Sequence, residues 1–225
     1  MIIYGTSISP VVRKTLVFAA EKGVAVEVVA VGLGQGGPDF HEASPFGKMP
    51  AMRDPGADDG RDFTISDSTA ICAYIEAKHP EPVLIPHDPM PRARTIWYEE
   101  FSDTILFPVG SRMFFNRFVA PKVLKRAGDE EVAAKAEAEE LPPLMDYLER
   151  VVPDDNGFLV GDTLTLADIA VASPFVNLQH IGWMCDPVRW PRTSAYVARI
   201  LARPSFAAMI ANEQRLIARM DAAQM

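Results

Sequence analysis

The sequence predicts two successive domains of different class: an α/β domain over residues 1–79 and an all-helical domain over residues 92–225, joined by a proline-rich linker over 80–91. Three observations carry this. Strand-length runs of Val and Ile alternate with helical patterns only in the first eighty or so residues. Five prolines (Pro80, Pro82, Pro86, Pro89 and Pro91) then crowd one short stretch, which marks a connection rather than an element. Beyond them, apolar residues recur at helical spacing to the C-terminus.

Met1 to Gly5, with Ile2, Ile3 and Tyr4 together, reads as a short buried strand. Pro10 to Lys22 reads as a helix, because Ser9 suits the cap, Pro10 the first helical position and Gly23 the stop. The valine-rich run Val24 to Val31 is the second strand. Ala51 to Asp54 and Arg61 to Ile65 are expected to pair as a hairpin across the turn-rich Pro55 to Gly60. Ser68 to Lys78 is the second helix, with Ile71, Tyr74 and Ile75 on one face and Pro80 beyond its end. This order, βαβ and then ββα, is that of a small α/β domain, and also of thioredoxin-like domains.

In the second domain, Arg92 to about Phe118 places Ile96, Trp97, Phe101, Ile105 and Leu106 at helical spacing, and Phe107-Pro108 predicts a kink. Asp129 to Val151 is an alanine-rich, charged and therefore partly exposed helix. Thr165-Leu166-Ala167-Asp168 is a capping box, with Leu164 and Ile169 as its hydrophobic staple. It opens an almost wholly apolar helix to about Ile181, the expected core of this domain. Capping also accounts for Asp168, which otherwise invites a catalytic role. Pro191 to Ala202 and Ser205 to Met220 complete the bundle, split at Arg203-Pro204.

Composition narrows the function. The chain has 225 residues, 48% of them hydrophobic and 23% charged, as in an ordinary globular protein. A net charge of −8 argues against nucleic-acid binding, which needs clustered Lys and Arg. Cys72 and Cys185 sit far apart within apolar runs and are expected as buried reduced thiols; the four histidines form no ligand pair, so no metal site is expected. No signal peptide or bilayer-spanning run is expected either, and a cytoplasmic setting follows. Gly32, Gly34 and Gly37 satisfy GxGxxG, but Pro38 and Ser44-Pro45 leave no room for the long helix whose amides a dinucleotide pyrophosphate needs.

Three short patches carry the chemistry. Ser9 is a helix cap, yet a hydroxyl beside a helix N-terminus is also placed to donate a hydrogen bond to a bound thiolate. A free thiol has a pKa of about 8.5, and lowering it by about two units requires about 2.7 kcal/mol of thiolate stabilisation. One charge-assisted hydrogen bond plus a helix terminus is of that size. Met49-Pro50 is an X-Pro bond entering a strand; in the cis form it turns the Met49 amide and carbonyl toward an extended peptide, which can pair with them as an added strand. Lys48, otherwise a solvated surface residue, is placed to meet a carboxylate. Asp67 caps the next helix, whose first amides and Ser68 hydroxyl suit a carboxylate, while Asp67 itself suits an ammonium group. A ligand with an amine and carboxylate at one end, a central thiol and a second carboxylate at the other fits all three.

Tyr4-x4-Ser9-Pro10-x2-Arg13, then Ser44-Pro45-Phe46-Gly47-Lys48-Met49-Pro50, then Asp67-Ser68, resembles the glutathione S-transferases that use serine, such as the theta, tau and phi classes. The run from Gly161 to Ile169 is similar to a hallmark of that family's second domain, so the resemblance covers nearly the whole chain. It implies a thioredoxin-like domain, an all-α bundle and a homodimer using glutathione as co-substrate. It further implies Ser9 as thiolate activator, Lys48 near the glycine end, Met49 pairing through its backbone, Pro50 cis, and Asp67 with Ser68 at the γ-glutamyl end. Leu106 and Phe107 match where the family's first all-α helix faces an apolar electrophile, bound between the domains. Tyr4, Thr6 and Ser7 remain rivals for the thiol. Ser44 stands where an Asn often precedes the Pro, and Asp67 where Glu or Gln is usual. The same thiolate also suits isomerisation, dehalogenation or ether cleavage, and the fold suits a non-catalytic binding protein.

Overall fold

In the computed structural model of the chain, β1 (Ile2–Tyr4) runs parallel to β2 (Glu27–Val29) and antiparallel to β3 (Ala51–Asp58), which pairs antiparallel with β4 (Arg61–Ser66). The result is a four-stranded sheet of order β2-β1-β3-β4. The chain divides into two units, Met1–Ile85 and Pro86–Met225, within which residues 1–154 and 156–222 are described.

In the first unit, strand alternation sends Tyr4 and Ala51 to one face of the sheet, where they cluster with Val31 and with Phe40 and Ala43 of α2 (Pro38–Ala43). Ile3 and Met52 point the other way and are fully buried, as are Val12 and Val17 of α1 (Pro10–Glu21) and Ile71 and Ile75 of α3 (Ser68–Lys78). Lys22, just past α1, pairs with Glu76 of α3 at 2.8 Å, both side chains buried. Glu76 also accepts from the Leu84 amide at 3.2 Å, which holds the first part of the proline-rich stretch on the domain.

In this unit three elements differ from the sequence expectation. α2 is a helix where none was expected, although at six residues it is too short to offer a pyrophosphate a long dipole. β3 continues through Pro55 to Asp58 with a register shift after Asp54, so the turn shrinks to Asp59-Gly60. The Asp58–Arg61 pair at 2.8 Å and the Gly56 amide bonded to Asp62 Oδ1 at 3.1 Å close it, and the irregular register accommodates Pro55, which has no amide to give the ladder. β2 is shorter than its valine run, because only Glu27–Val29 finds partners on β1.

In the second unit, α4 (Pro89–Glu100) passes through a π-helical segment (Phe101–Leu106) into α5 (Phe107–Phe114), then through a second such segment, Phe115–Val123. Pro108 therefore lies where the π segment passes into α5, so the amide it lacks falls at the irregular turn of the helix. α6 (Glu130–Lys135) runs through a third π segment into α7 (Leu141–Val151). α8 (Leu166–His180) is the core helix, buried from Leu166 through Leu178, and α9 (Pro191–Leu201) and α10 (Pro204–Ala222) complete the bundle. Asp168 closes the capping box on the Thr165 amide (2.9 Å) and also accepts from the Leu159 amide (2.9 Å) and the Tyr196 hydroxyl (2.7 Å). Burial pushes the Asp168 carboxyl above its ordinary pKa, against those hydrogen bonds. Both cysteines are free thiols, but Cys185 is half-buried where full burial was expected.

Candidate functional site

The sheet register gathers the three patches at one end of the first domain. Tyr4, the last residue of β1, pairs with Ala51, the first of β3, and Ala51 pairs with Ser66, the last of β4. The chain leaving β1 toward Ser9, entering β3 through Met49-Pro50 and leaving β4 at Asp67 therefore meets in one row. Asp67 donates its amide to the Pro50 carbonyl at 3.2 Å, joining the second patch to the third. Gly5 joins the first to the second. Its φ is +144°, and a Cβ there would lie 2.7 Å from Val12 Cγ2 and 3.6 Å from Met49 Cβ. A side chain at this position would push the β1–α1 turn away from Met49.

Ser9 occupies the N-cap position of α1 in extended conformation, but its side chain makes no capping hydrogen bond. Its carbonyl accepts from the Arg13 amide at 2.9 Å, starting the helix, and its amide donates to the Thr6 carbonyl at 3.0 Å. No acidic side chain lies in the first turn to offset the positive end of the helix. Thr6, Ser7 and Ser9 are all half-buried. Tyr4 is different: its ring is buried 6.1 Å from that of Phe40, and its hydroxyl bonds Arg53. That contact and the buried ring place Tyr4 on the α2 face of the sheet, whereas Thr6, Ser7 and Ser9 keep partial exposure at the start of α1.

The second patch is closed by Ser44, whose hydroxyl accepts from the Lys48 amide at 2.8 Å and donates to the Lys48 carbonyl at 2.7 Å. The Lys48 side chain is exposed, Met49 packs against the Tyr4–Phe40 cluster, and the Met49-Pro50 bond is cis. In the third patch Asp67 sits at φ +86° and caps α3 through Oδ1, which accepts from Thr69 N at 2.8 Å and Ala70 N at 3.3 Å. The Thr69 amide, expected to meet a ligand carboxylate, is thus already bonded to Asp67. Ser68 is buried. Leu106 and Phe107 belong to the second unit; Leu106 is fully buried and Phe107 half-buried, so of the two Phe107 keeps surface to offer a ligand.

Two hollows in the first unit lie elsewhere. One of about 620 Å³ borders Met1, Gly23, Asp54 and His79, and one of about 370 Å³ borders Tyr4, Gly32, Gly36 and Phe40. Neither contains Ser9, Lys48 or Asp67. A peptide bound by main-chain pairing at the end of a sheet needs an edge more than a hollow, so the patches are the better site. Among the described residues no group of three metal-ligating side chains converges, and no helix is long and apolar enough to cross a membrane. Sequence reasoning missed Gly5 and the double bond of Ser44. The first carries no signal beyond following a strand, and the second was legible only as a Ser four residues before the Lys.

Residues 3–83 match the family model for the glutathione S-transferase N-terminal domain, and residues 115–213 match that for the C-terminal domain. A glutathione S-transferase of Hyoscyamus muticus is 30% identical over 222 residues, spanning 95% of this chain and 99% of that one. Glutathione S-transferase 3 of Zea mays is 32% identical over 216 residues, spanning 93% and 92%. The crystal structure of a glutathione S-transferase from Rhodospirillum rubrum superposes with a TM-score of 0.80 at 25% identity, covering 92% of this chain and 90% of its own. With both domain models matched in order and relatives 30% and 32% identical spanned nearly end to end, this chain belongs to the glutathione S-transferase family.

Proposed function

We propose that the protein is a glutathione transferase in which Ser9 stabilises the glutathione thiolate for attack on an apolar electrophile. The observation that carries this is the convergence of Ser9, Met49-Pro50 and Asp67-Ser68 on one sheet end, with the Ser9 hydroxyl free of any capping bond. A tripeptide lying there as an added strand pairs with the Met49 backbone, directs its glycine carboxylate to Lys48 and its γ-glutamyl ammonium to Asp67, with Ser68 beside it. Its sulfur then reaches the start of α1. The thiol proton leaves to solvent, the Ser9 hydroxyl donates to the sulfur anion, and the helix terminus adds its field. The thiolate forms a bond to the electrophilic carbon as the leaving group departs. Phe107, and more remotely the fully buried Leu106, are proposed to supply apolar contact to the second substrate. The half-buried and buried free thiols suit a reducing cytoplasm, and the family likeness supports a homodimer.

Calorimetry with glutathione tests binding, and ultraviolet titration of the bound thiol tests activation. The bound thiol is expected to titrate about two units below the free value near 8.5, and Ser9→Ala to recover at least one of those units. With the pKa raised, the thiolate fraction at pH 6.5 falls and so does kcat/KM, while activity above pH 9 converges on that of the wild type. An alanine variant that titrates like the wild type makes Ser9 a helix start and nothing more.

A further inference from the structure

We propose that Arg53 is a positioning residue for glutathione binding: its guanidinium clamps α2 and so holds the Ser44–Pro50 loop, without touching the ligand. The proposal rests on the glutathione reading above. α2 has six residues, of which only Phe40 and Ala43 are buried, and a helix that short does not hold itself in water. It is preceded by Gly32-Leu33-Gly34-Gln35-Gly36-Gly37, a stretch with few side chains to anchor it. Yet Ala43 leads directly into Ser44, whose hydroxyl holds both backbone groups of Lys48. A shift of α2 therefore moves Lys48 and Met49, proposed to receive the ligand's glycine carboxylate and its backbone.

Beside the packing of Phe40 and Ala43, one polar side chain ties α2 to the sheet. Arg53 lies in β3 on the same face as Ala51, and its side chain is 14% exposed. Its Nη2 donates to Glu42 Oε2 of α2 at 2.9 Å, with a longer contact to the Asp39 carbonyl at 3.5 Å. Its Nη1 donates to Asp62 Oδ2 of β4 at 2.9 Å, and the Tyr4 hydroxyl of β1 is a further partner. The fork geometry of a guanidinium allows these directions at once, which a lysine does not. The hydrogen bonds to Asp62 and Glu42 raise the Arg53 pKa, so the clamp stays charged at any working pH, and the Arg53 bond in turn holds the Asp62 carboxyl below its usual range. A single group thus joins β1, β3, β4 and α2 on the face behind the loop.

Three single variants and one double variant test this. Arg53→Met removes the fork at similar volume, Arg53→Lys keeps the charge without the fork, and Glu42→Gln weakens only the α2 end. Arg53→Met is expected to raise the Kd and KM for glutathione about three- to tenfold, as when the competent arrangement is populated to about a third to a tenth. At saturating glutathione, kcat and the KM for chlorodinitrobenzene should stay within about twofold, because chemistry is untouched. Amide hydrogen exchange should quicken over residues 38–48 and not in α3. Arg53→Lys should recover part of the affinity. Glu42→Gln should shift it in the same direction by less, and the double variant should be no worse than Arg53→Met alone. Should Arg53→Met not fold, Glu42→Gln carries the test, since its side chain is 63% exposed. Wild-type Kd and wild-type exchange in the folded variants, or a fall in kcat with KM unchanged, overturns the proposal. If the wild type itself binds no glutathione, the functional reading and the ligand half of this proposal fall together, and the exchange data still decide the clamp.

Discussion

Asp67 caps α3 and is proposed to hold the ligand amine, two roles that single substitutions separate. It holds φ at +86°, a conformation that costs of order 1–3 kcal/mol for a residue with a side chain, and the α3 cap helps sustain it. Its Oδ1 takes two helix-start amides, and the carboxylate charge remains for a ligand ammonium. Asp67→Asn keeps an acceptor oxygen and should leave the melting temperature nearly unchanged, while weakening glutathione binding about tenfold by loss of a charged partner. Asp67→Ala should lose affinity and also about 1 kcal/mol of stability, or about 2–4 °C in Tm. If calorimetry finds wild-type affinity in the asparagine variant, Asp67 is a cap and does not hold the amine. Ser9 is the converse case. A good capping residue by type, it makes no cap here, and the chemistry proposed for it uses the hydroxyl as donor, where a cap would use its oxygen as acceptor.

Among the elements, α8 depends most on one polar side chain. The helix is buried almost throughout, so its N-terminal amides have no water to turn to. Asp168 serves the Thr165 amide, the Leu159 amide and the Tyr196 hydroxyl together. Asp168→Ala leaves these buried donors without their acceptor and should cost about 3 kcal/mol or more, read as a fall in the denaturant midpoint at unchanged slope. Tyr196→Phe removes one donor with its bond and should cost about 1 kcal/mol. A larger loss for the tyrosine variant than for the aspartate variant would place the weight on packing of the ring. α2 is the opposite kind of element, held by partners outside itself.

For the molecule as a whole, acid should weaken both units. In the first, burial pushes the Asp54 carboxyl up, but hydrogen bonds from Lys78 and Tyr74 outweigh it and hold it below its ordinary pKa. Asp62 is held low by Arg53. In the second, Glu130 is held low by Arg117; burial pushes Glu149 up, but the amides of Thr193 and Arg192 at the start of α9 outweigh it. A depressed carboxyl contributes stability that is complete above its unfolded pKa and is lost as pH falls through the folded one. Relief of the net charge of −8, and protonation of Asp168, whose carboxyl burial pushes up, work the other way, so the fall should set in only below about pH 4. Urea titrations at pH 7, 5 and 3 check this, with Asp54→Asn flattening the acid slope; a midpoint unchanged at pH 3 would contradict it.

By itself the sequence determined the features that depend on a few adjacent residues. The bounds of α3, the proline start of α1, the capping box of α8 and the order of the two domains follow from local hydrogen bonding and side-chain period, so they were legible at Asp67-Ser68, Ser9-Pro10 and Thr165–Asp168. The residues of the candidate site were named there too, as three separated patches. Tertiary structure alone decided what joins them, because strand register and side-chain partners are set by residues far apart in the chain. It turned the Tyr4 hydroxyl to Arg53, carried β3 past Pro55 against β4, and gave the Thr69 amide to Asp67. It also placed Gly5 against Val12 and Met49, where the absence of a side chain lets the first patch approach the second.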